Sequence, residues 1–427
     1  MIDIKLLRQD PEAMRARIAR RRDPAAVALV DDLVALDLRR RELVARTEAR
    51  KAERNRATEE VARRKRAGEP ADELTAALRA SGDEVRALEG ELRELEAELE
   101  GKALALPNPP LAEVPDGDAT ANVVLRTWGS APAFAFAPQP HWDLGTALGI
   151  LDLPRGAKLS GSGFPVFLGM GARLVRALEQ FMLDLHTREH GYVEVAPPLL
   201  LNAASLQGTG QLPKFEEELY TVERDGLYLL PTAEVPVTNL HRDEILDGSM
   251  LPLGYTAATP CFRREAGAHG RDTRGLIRVH QFDKVELVRF CRPEESPAEH
   301  ARMTGHAEAV LQRLGLPYRV VALAAGDTGF ASAMTYDLEV WAAGVGTWLE
   351  VSSASTFTDF QARRANIRYR PAPGAKPEFV HTLNASGVAF PRVLIALLEN
   401  GQQADGSVRI PEALAPYLGT DRLAPRA

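Results

Sequence analysis

PCFRREAGAHGRDTRGLIRVHQFDKVE, residues 260–286, governs how the second half of this 427-residue chain is read. Apolar or aromatic ends flank a charged, glycine-rich middle, which reads as two strands joined by a flexible loop. Five arginines, Arg263, Arg264, Arg271, Arg274 and Arg278, fall within sixteen residues. That exceeds what a structural hairpin needs, and guanidinium forks match phosphate oxygens in pairs. Arg278 and Phe282 are four apart and share a face if both lie on a strand, where ring and guanidinium can sandwich a purine. A cation–π pair within the core is the competing reading.

Strand-like runs recur on both sides of this stretch, at Tyr192–Val195, Leu227–Leu230, Lys284–Val288 and Tyr318–Ala322. Helical patterns occupy Ala172–His186, Pro297–Leu314 and Arg392–Glu399. The strand runs are not separated by regular helices, so the expectation is an α+β fold whose mostly antiparallel sheet carries helices against it. Three further polar segments lie among them. Thr232, Ala233 and Glu234 follow an apolar strand and can bind a small ammonium group; a satisfied turn is the competing reading. Glu350, Val351, Ser352 and Ser353 place a carboxylate before hydroxyls, a donor set for a hard cation such as Mg²⁺. Asn384 and Ser386 precede Arg392 near a helix start, where the positive helix end reinforces anion binding; ordinary capping by Asn or Ser is the alternative.

The first hundred residues are of another kind. No aromatic residue and one proline occur between Asp31 and Glu100. Leu29, Leu33, Leu36 and Leu43 begin a 3.5-residue repeat that reaches Ala57 and Val61 through Thr47, Arg50 and Arg54. After Gly68-Glu69-Pro70 it resumes at Leu74, Leu78, Val85, Leu88, Leu92, Leu95 and Leu99. This predicts an antiparallel coiled-coil hairpin over about 29–100. Leu38–Arg66 holds twelve basic and five acidic residues, whereas Asp72–Glu100 holds three basic and ten acidic. Cross-helix ion pairs explain that sorting. The cluster Arg63, Arg64, Lys65 and Arg66 at the tip, beside Arg54 and Arg56, also suits a phosphate backbone. The polar stretch of the seam predicts a loosely zipped, mobile distal half. The segment 106–140, rich in proline, alanine and glycine, reads as a linker and entry into a domain spanning 141–427.

Composition narrows the class. The net charge of −7, with 45% apolar residues, excludes a disordered chain and a uniformly basic nucleic-acid binder. Two cysteines exclude a disulfide scaffold and a four-cysteine zinc site. There is no apolar run of membrane-spanning length and the start is charged throughout, so a cytoplasmic location is expected. GxxxxGK[ST], HExxH and GxSxG are all missing.

In order and spacing, MIDIKLLRQDPEAMRARIARR, the hairpin, TAEVP, FRREAGAHGRDTRGLIRVHQFDKVE, EVSSASTFTDFQARRANIRYR and NASG…R resemble the bacterial-type seryl-tRNA synthetases over essentially the whole chain. The resemblance implies a class II catalytic domain, a homodimer formed through Ala177–Pro198, and a tRNA-binding helical arm over 1–105. It implies ATP-dependent conversion of serine to seryl-adenylate, then transfer to serine tRNA, and to selenocysteine tRNA where a cell has one. Thr232, Ala233, Glu234, Glu286, Asn384 and Ser386 would form the serine site. Arg263 would hold the α-phosphate, Glu265 the nucleotide, with Arg264, Val279, Val351 and Ser352 alongside. Arg278 and Phe282 would clamp adenine, Glu350 and Ser353 would hold Mg²⁺, and Arg392 the γ-phosphate; no zinc is implied. The loop 269–275, with Arg271 and Arg274, would approach the tRNA acceptor end.

Ala385, Phe390-Pro391 and Thr356 depart from the family pattern near these pockets. They leave open a divergent paralogue, either an antibiotic-tolerant self-resistance copy or a non-catalytic tRNA-binding homologue.

Overall fold

The computed structural model describes residues 1–266 and 274–425. The chain divides into two compact units, Met1–Ala19 with Asp23–Pro107, and Arg20–Arg22 with Asn108–Ala427.

The first unit is helical throughout. Two short helices, α1 (Ile4–Gln9) and α2 (Pro11–Ala19), precede the long pair α3 (Pro24–Ala67) and α4 (Asp72–Ala105). Asp23 caps α3 by accepting from the amides of Ala25 and Ala26, with proline at the first helical position. Gly68, at φ +73°, ends it in the left-handed conformation that glycine adopts without steric cost. The predicted seam is the buried one: Leu33, Leu43, Thr47 and Val61 face inward on α3, and Val85, Leu88 and Leu95 on α4. Leu43, Leu88 and Leu95 form its centre, with Leu36 and Leu92 packed beside them. Near Arg40 the pattern is interrupted by a buried acid, Asp37, which Arg8, Arg40 and Arg41 surround. Cross-helix ion pairs follow the charge sorting: Arg39–Glu91 at 3.2 Å, Arg50–Glu84 at 3.1 Å and Lys51–Glu89 at 3.1 Å. Part of the sorted charge is therefore partnered across the seam, as the coiled-coil reading requires.

The second unit is built on a sheet. Its strands are β1 (Val123–Trp128), β2 (Val193–Glu194), β3 (Leu253–Phe262), β4 (Gln281–Cys291), β5 (Tyr318–Ala322), β6 (Met334–Ala342), β7 (Thr347–Thr358) and β8 (His381–Ala389). The order across the sheet is β1-β5-β6-β7-β8-β4-β3-β2. All neighbours are antiparallel except β2 and β3. One edge strand, β1, comes from the proline-rich stretch after the hairpin. The helices α5 (Met170–Arg188), α6 (Ser296–Arg313) and α7 (Phe390–Gly401) contribute to the buried cores. α7 is apolar nearly all round and fully engaged, with Val393, Leu394, Ile395, Ala396, Leu397 and Leu398 all buried.

Of the sheet's bulges, two set side chains discussed below. Glu339 pairs with Glu350 while Leu338 pairs with Ser352, so Val351 is an extra residue in β7. Val285 pairs with Val388 while Glu286 pairs with Ser386, so Gly387 is extra in β8. A strand alternates faces, and one inserted residue changes which side chains point together. Side chains three apart, Glu350 with Ser353 and Ser386 with Ala389, are thereby brought to one side. At Gly387 a Cβ would sit 2.9 Å from His186 Nε2, which explains the glycine.

Candidate active site

A cavity of about 440 Å³ opens over the centre of the sheet. Thr232, Glu234, Arg263, Glu265, Arg278, Val279, Phe282, Glu350, Val351, Ser353, Asn384, Ser386 and Arg392 all line it. Sites read separately in four sequence segments thus converge on one concavity.

At one end lies a buried polar network. Lys284 and Glu286, two apart on β4, face the same way and form an ion pair. Lys284 Nζ donates to Thr232 Oγ1 at 2.9 Å, Thr232 Oγ1 to Glu286 Oε2 at 3.2 Å, and Asn384 Nδ2 to Glu286 Oε1 at 2.9 Å. Glu234, at the start of the short helix Glu234–Thr238, accepts from Gln361 Nε2 at 2.6 Å. Gln361 is itself fixed by Thr382, which donates to its carbonyl oxygen at 2.7 Å. Burial and the neighbouring Glu286 carboxylate push Glu234 up to about 7, against Gln361, Lys284 and Arg263. A buried carboxylate in that state is ready for a cation.

The other end is rich in arginine. Arg278 pairs with Glu265, and Arg263 stacks over the Phe282 ring at 5.3 Å. Arg392, in the first turn of α7, donates to Glu350 O at 2.7 Å and to Ile277 O at 3.3 Å. The N-cap position of α7 is Ala389, without a side-chain cap, so the alternative of capping by Asn or Ser is not formed and the positive helix end faces the cavity. Burial and Glu350 push Asp337, beside Ser353, up to about 8; its Oδ1 has no hydrogen-bond partner.

Several expectations are revised. Arg278 is not on a strand, because β4 begins at Gln281; in this state the partner of Phe282 is Arg263. The Ala233 side chain is packed in the core with Val237 and Leu246. Arg264 turns away and donates to Glu217 O at 3.2 Å, outside the cavity. The buried Ser352 donates to Ser386 O at 2.6 Å rather than lining the wall. Glu286 is buried beneath Thr232 and Lys284. Arg274 stacks on Trp142 at 4.4 Å, and Arg271 lies outside the described residues. Of the departures from the family pattern, Ala385 and Thr356 are buried away from the cavity, and only Pro391 lines it.

Residues that sequence reasoning missed include Lys284, Gln361 and the wall segment Gly329–Ser332. That wall is held by the buried Arg21, which donates to Thr328 O at 2.6 Å and Gly329 O at 2.8 Å. His141 likewise links Glu399 on α7, at 2.8 Å, to the amide of Leu276, at 2.9 Å. Lys284 stood inside the quoted motif, two residues from Glu286; that spacing was the available signal.

Among the described residues no three His, Cys, Asp or Glu side chains are grouped to hold a metal by themselves. No helix is long and apolar enough to cross a membrane. Both cysteines are free and buried.

Residues 1–110 match the seryl-tRNA synthetase N-terminal domain, and residues 220–401 the tRNA synthetase class II core domain (G, H, P, S and T). The chain is 58% identical to a serine–tRNA ligase of Gemmatimonas aurantiaca, covering 99% of this chain and all of that one. A crystal structure of seryl-tRNA synthetase from Pyrococcus horikoshii complexed with ATP superposes with a TM-score of 0.95 at 40% identity, over the whole of both chains. A cytoplasmic serine–tRNA ligase from Naegleria fowleri in complex with AMP gives 0.89 at 29%, over all of this chain and 99% of that one.

Proposed function

The chain belongs to the seryl-tRNA synthetases and couples ATP-driven activation of serine to its transfer onto tRNA; we propose that the cavity described above is where both steps occur. The observation that carries this is the convergence of an ammonium-ready end and an arginine-lined end within one 440 Å³ concavity.

In this reading Glu234 and Thr232 receive the serine ammonium, and Glu286 and Ser386 address its side chain. Arg263 draws in the serine carboxylate and the α-phosphate of ATP. A carboxylate is already a nucleophile, so no general base is required; positioning and charge neutralisation carry the rate. The serine carboxylate oxygen attacks the α-phosphorus and pyrophosphate leaves. Arg392 and the α7 N-terminus neutralise the departing charge. Phe282 would stack on adenine once Arg263 turns to the phosphate, with Arg278 reaching the opposite face once it leaves Glu265. A hydroxyl of the terminal tRNA adenosine then attacks the acyl carbon, and AMP departs.

Glu350 and Ser353 suit Mg²⁺. The Val351 bulge sets both oxygens to one side, and the orphaned Asp337 oxygen beside them marks a place short of positive charge. Two protein oxygens completed by phosphate and water is the arrangement that ion favours. Bound there, Mg²⁺ would neutralise phosphate charge and orient the polyphosphate.

The tRNA partner is assigned to the arm, residues 1–105; residues 106–140 lead into the catalytic domain, 141–427, whose sheet β1 completes. Arg54, Arg56, Lys65 and Arg66 form no ion pair among the described residues, leaving them for a phosphate backbone, whereas Arg63 and Arg64 pair with Glu60. A second copy of the chain would cover the stretch Ala177–Pro198, where Val193 on the edge strand β2 is exposed, and light scattering tests that dimer. A cytoplasmic location fits this activity. Serine-dependent ATP–pyrophosphate exchange followed by charging of serine tRNA tests the assignment. Exchange that does not depend on serine would overturn it.

A further inference from the structure

Of the two buried carboxylates at the serine end, one already has a cation and the other does not. Glu286 accepts Lys284 and Thr232 on Oε2 and Asn384 on Oε1. A carboxylate has about four acceptor sites, which leaves Glu286 one. Glu234 accepts from Gln361, forms no ion pair among the described residues, and lines the cavity. Lys284 is 4% exposed and is held between Glu286 and Thr232, the groups expected to meet the substrate.

We propose that Lys284 is a positioning and specificity-determining residue. It is the resident counter-ion of Glu286, so the substrate ammonium is received at Glu234, and Glu286, which lies behind Lys284 and Thr232, turns its last acceptor to the serine hydroxyl as the substrate enters. This rests on the cavity being the serine pocket. A second ammonium on Glu286 would set two cations against one carboxylate, whereas at Glu234 it meets an unpaired one. Alanine would leave the reserved acceptor on Glu286 unfilled, which is a strong basis for rejecting it.

The test is pyrophosphate exchange with the full-length chain and the variants Lys284→Met, Lys284→Gln, Glu286→Gln and Lys284→Met/Glu286→Gln, each checked by thermal melting. Lys284→Met should raise the KM for serine about tenfold or more, leave the KM for ATP within about twofold, and shrink serine-over-alanine discrimination about tenfold. If Lys284→Met does not fold, Lys284→Gln, which retains a polar contact to Thr232 without the charge, carries the same expectations. Lys284→Met/Glu286→Gln should bind serine better than Lys284→Met, because removing the carboxylate charge removes the need for its counter-ion. The proposal is overturned by an unchanged serine KM, by serine and ATP KM values that rise together, or by a double variant whose loss is the product of the two single losses. Wild-type exchange that ignores serine would instead overturn the pocket assignment, so the two failures are distinguishable.

Discussion

The hairpin of the first unit and the cavity of the second are both rich in charge, yet they use it in opposite ways. On α3 and α4 most ion pairs are exposed and many join residues three or four apart or directly across the seam, as Arg50 does with Glu53 and Glu84. Such pairs each contribute little, about 0.2–1 kcal/mol, and are weakened by salt. At one end of the cavity, Lys284 and Glu286 from β4 are buried together with Thr232 and Glu234, which come from more than fifty residues earlier in the case of Thr232. A charge at the surface of a helix is one of many, whereas a charge under a sheet has a single place to go.

If that contrast holds, the two regions fail separately. Replacing Arg39–Leu99 with a short glycine–serine linker should abolish charging of serine tRNA while leaving serine-dependent exchange within about twofold, since only phosphate-backbone contacts are lost. Normal charging by that variant would end the assignment of the arm. Arg263→Ala should lower exchange on the order of 10²–10³-fold, the usual consequence of removing one preorganised cation from a developing phosphate charge. Neutralising Arg63–Arg66 to glutamine should raise the KM for tRNA about tenfold and flatten its salt dependence, with exchange unchanged, because each released contact removes part of the salt slope. The smallest effect is in pH. The ammonium needs the Glu234 carboxylate, which titrates near 7, so the KM for serine should rise as pH falls from 8 to 6, by up to about tenfold per unit below 7. Glu234→Gln should bind serine weakly and lose that dependence.

How much could be read in advance follows from the same contrast. The hairpin was legible because its seam is local: Leu74, Leu78, Val85, Leu88, Leu92 and Leu95 repeat along the chain and are the residues that turn inward. The arginine-rich motif was legible as chemistry for a similar reason, since its residues are close in sequence. Partnerships were not. Nothing local announces that Gln361 braces Glu234, that Arg21 holds the Gly329–Ser332 wall, or that a strand from a proline-rich stretch closes one edge of the sheet. The shared strand face of Arg278 and Phe282 was misplaced because it assumed strand geometry at a residue that precedes the strand.

The bulge at Val351 carries a consequence for heredity. Deleting that residue would take the bulge out and leave Glu350 and Ser353 two apart, the spacing at which a regular strand already puts side chains on one face. Deleting Gly387 would do the same to Ser386 relative to Ala389. Each bulge is therefore a position where one codon can be lost while the side chains on either side of it keep their common face.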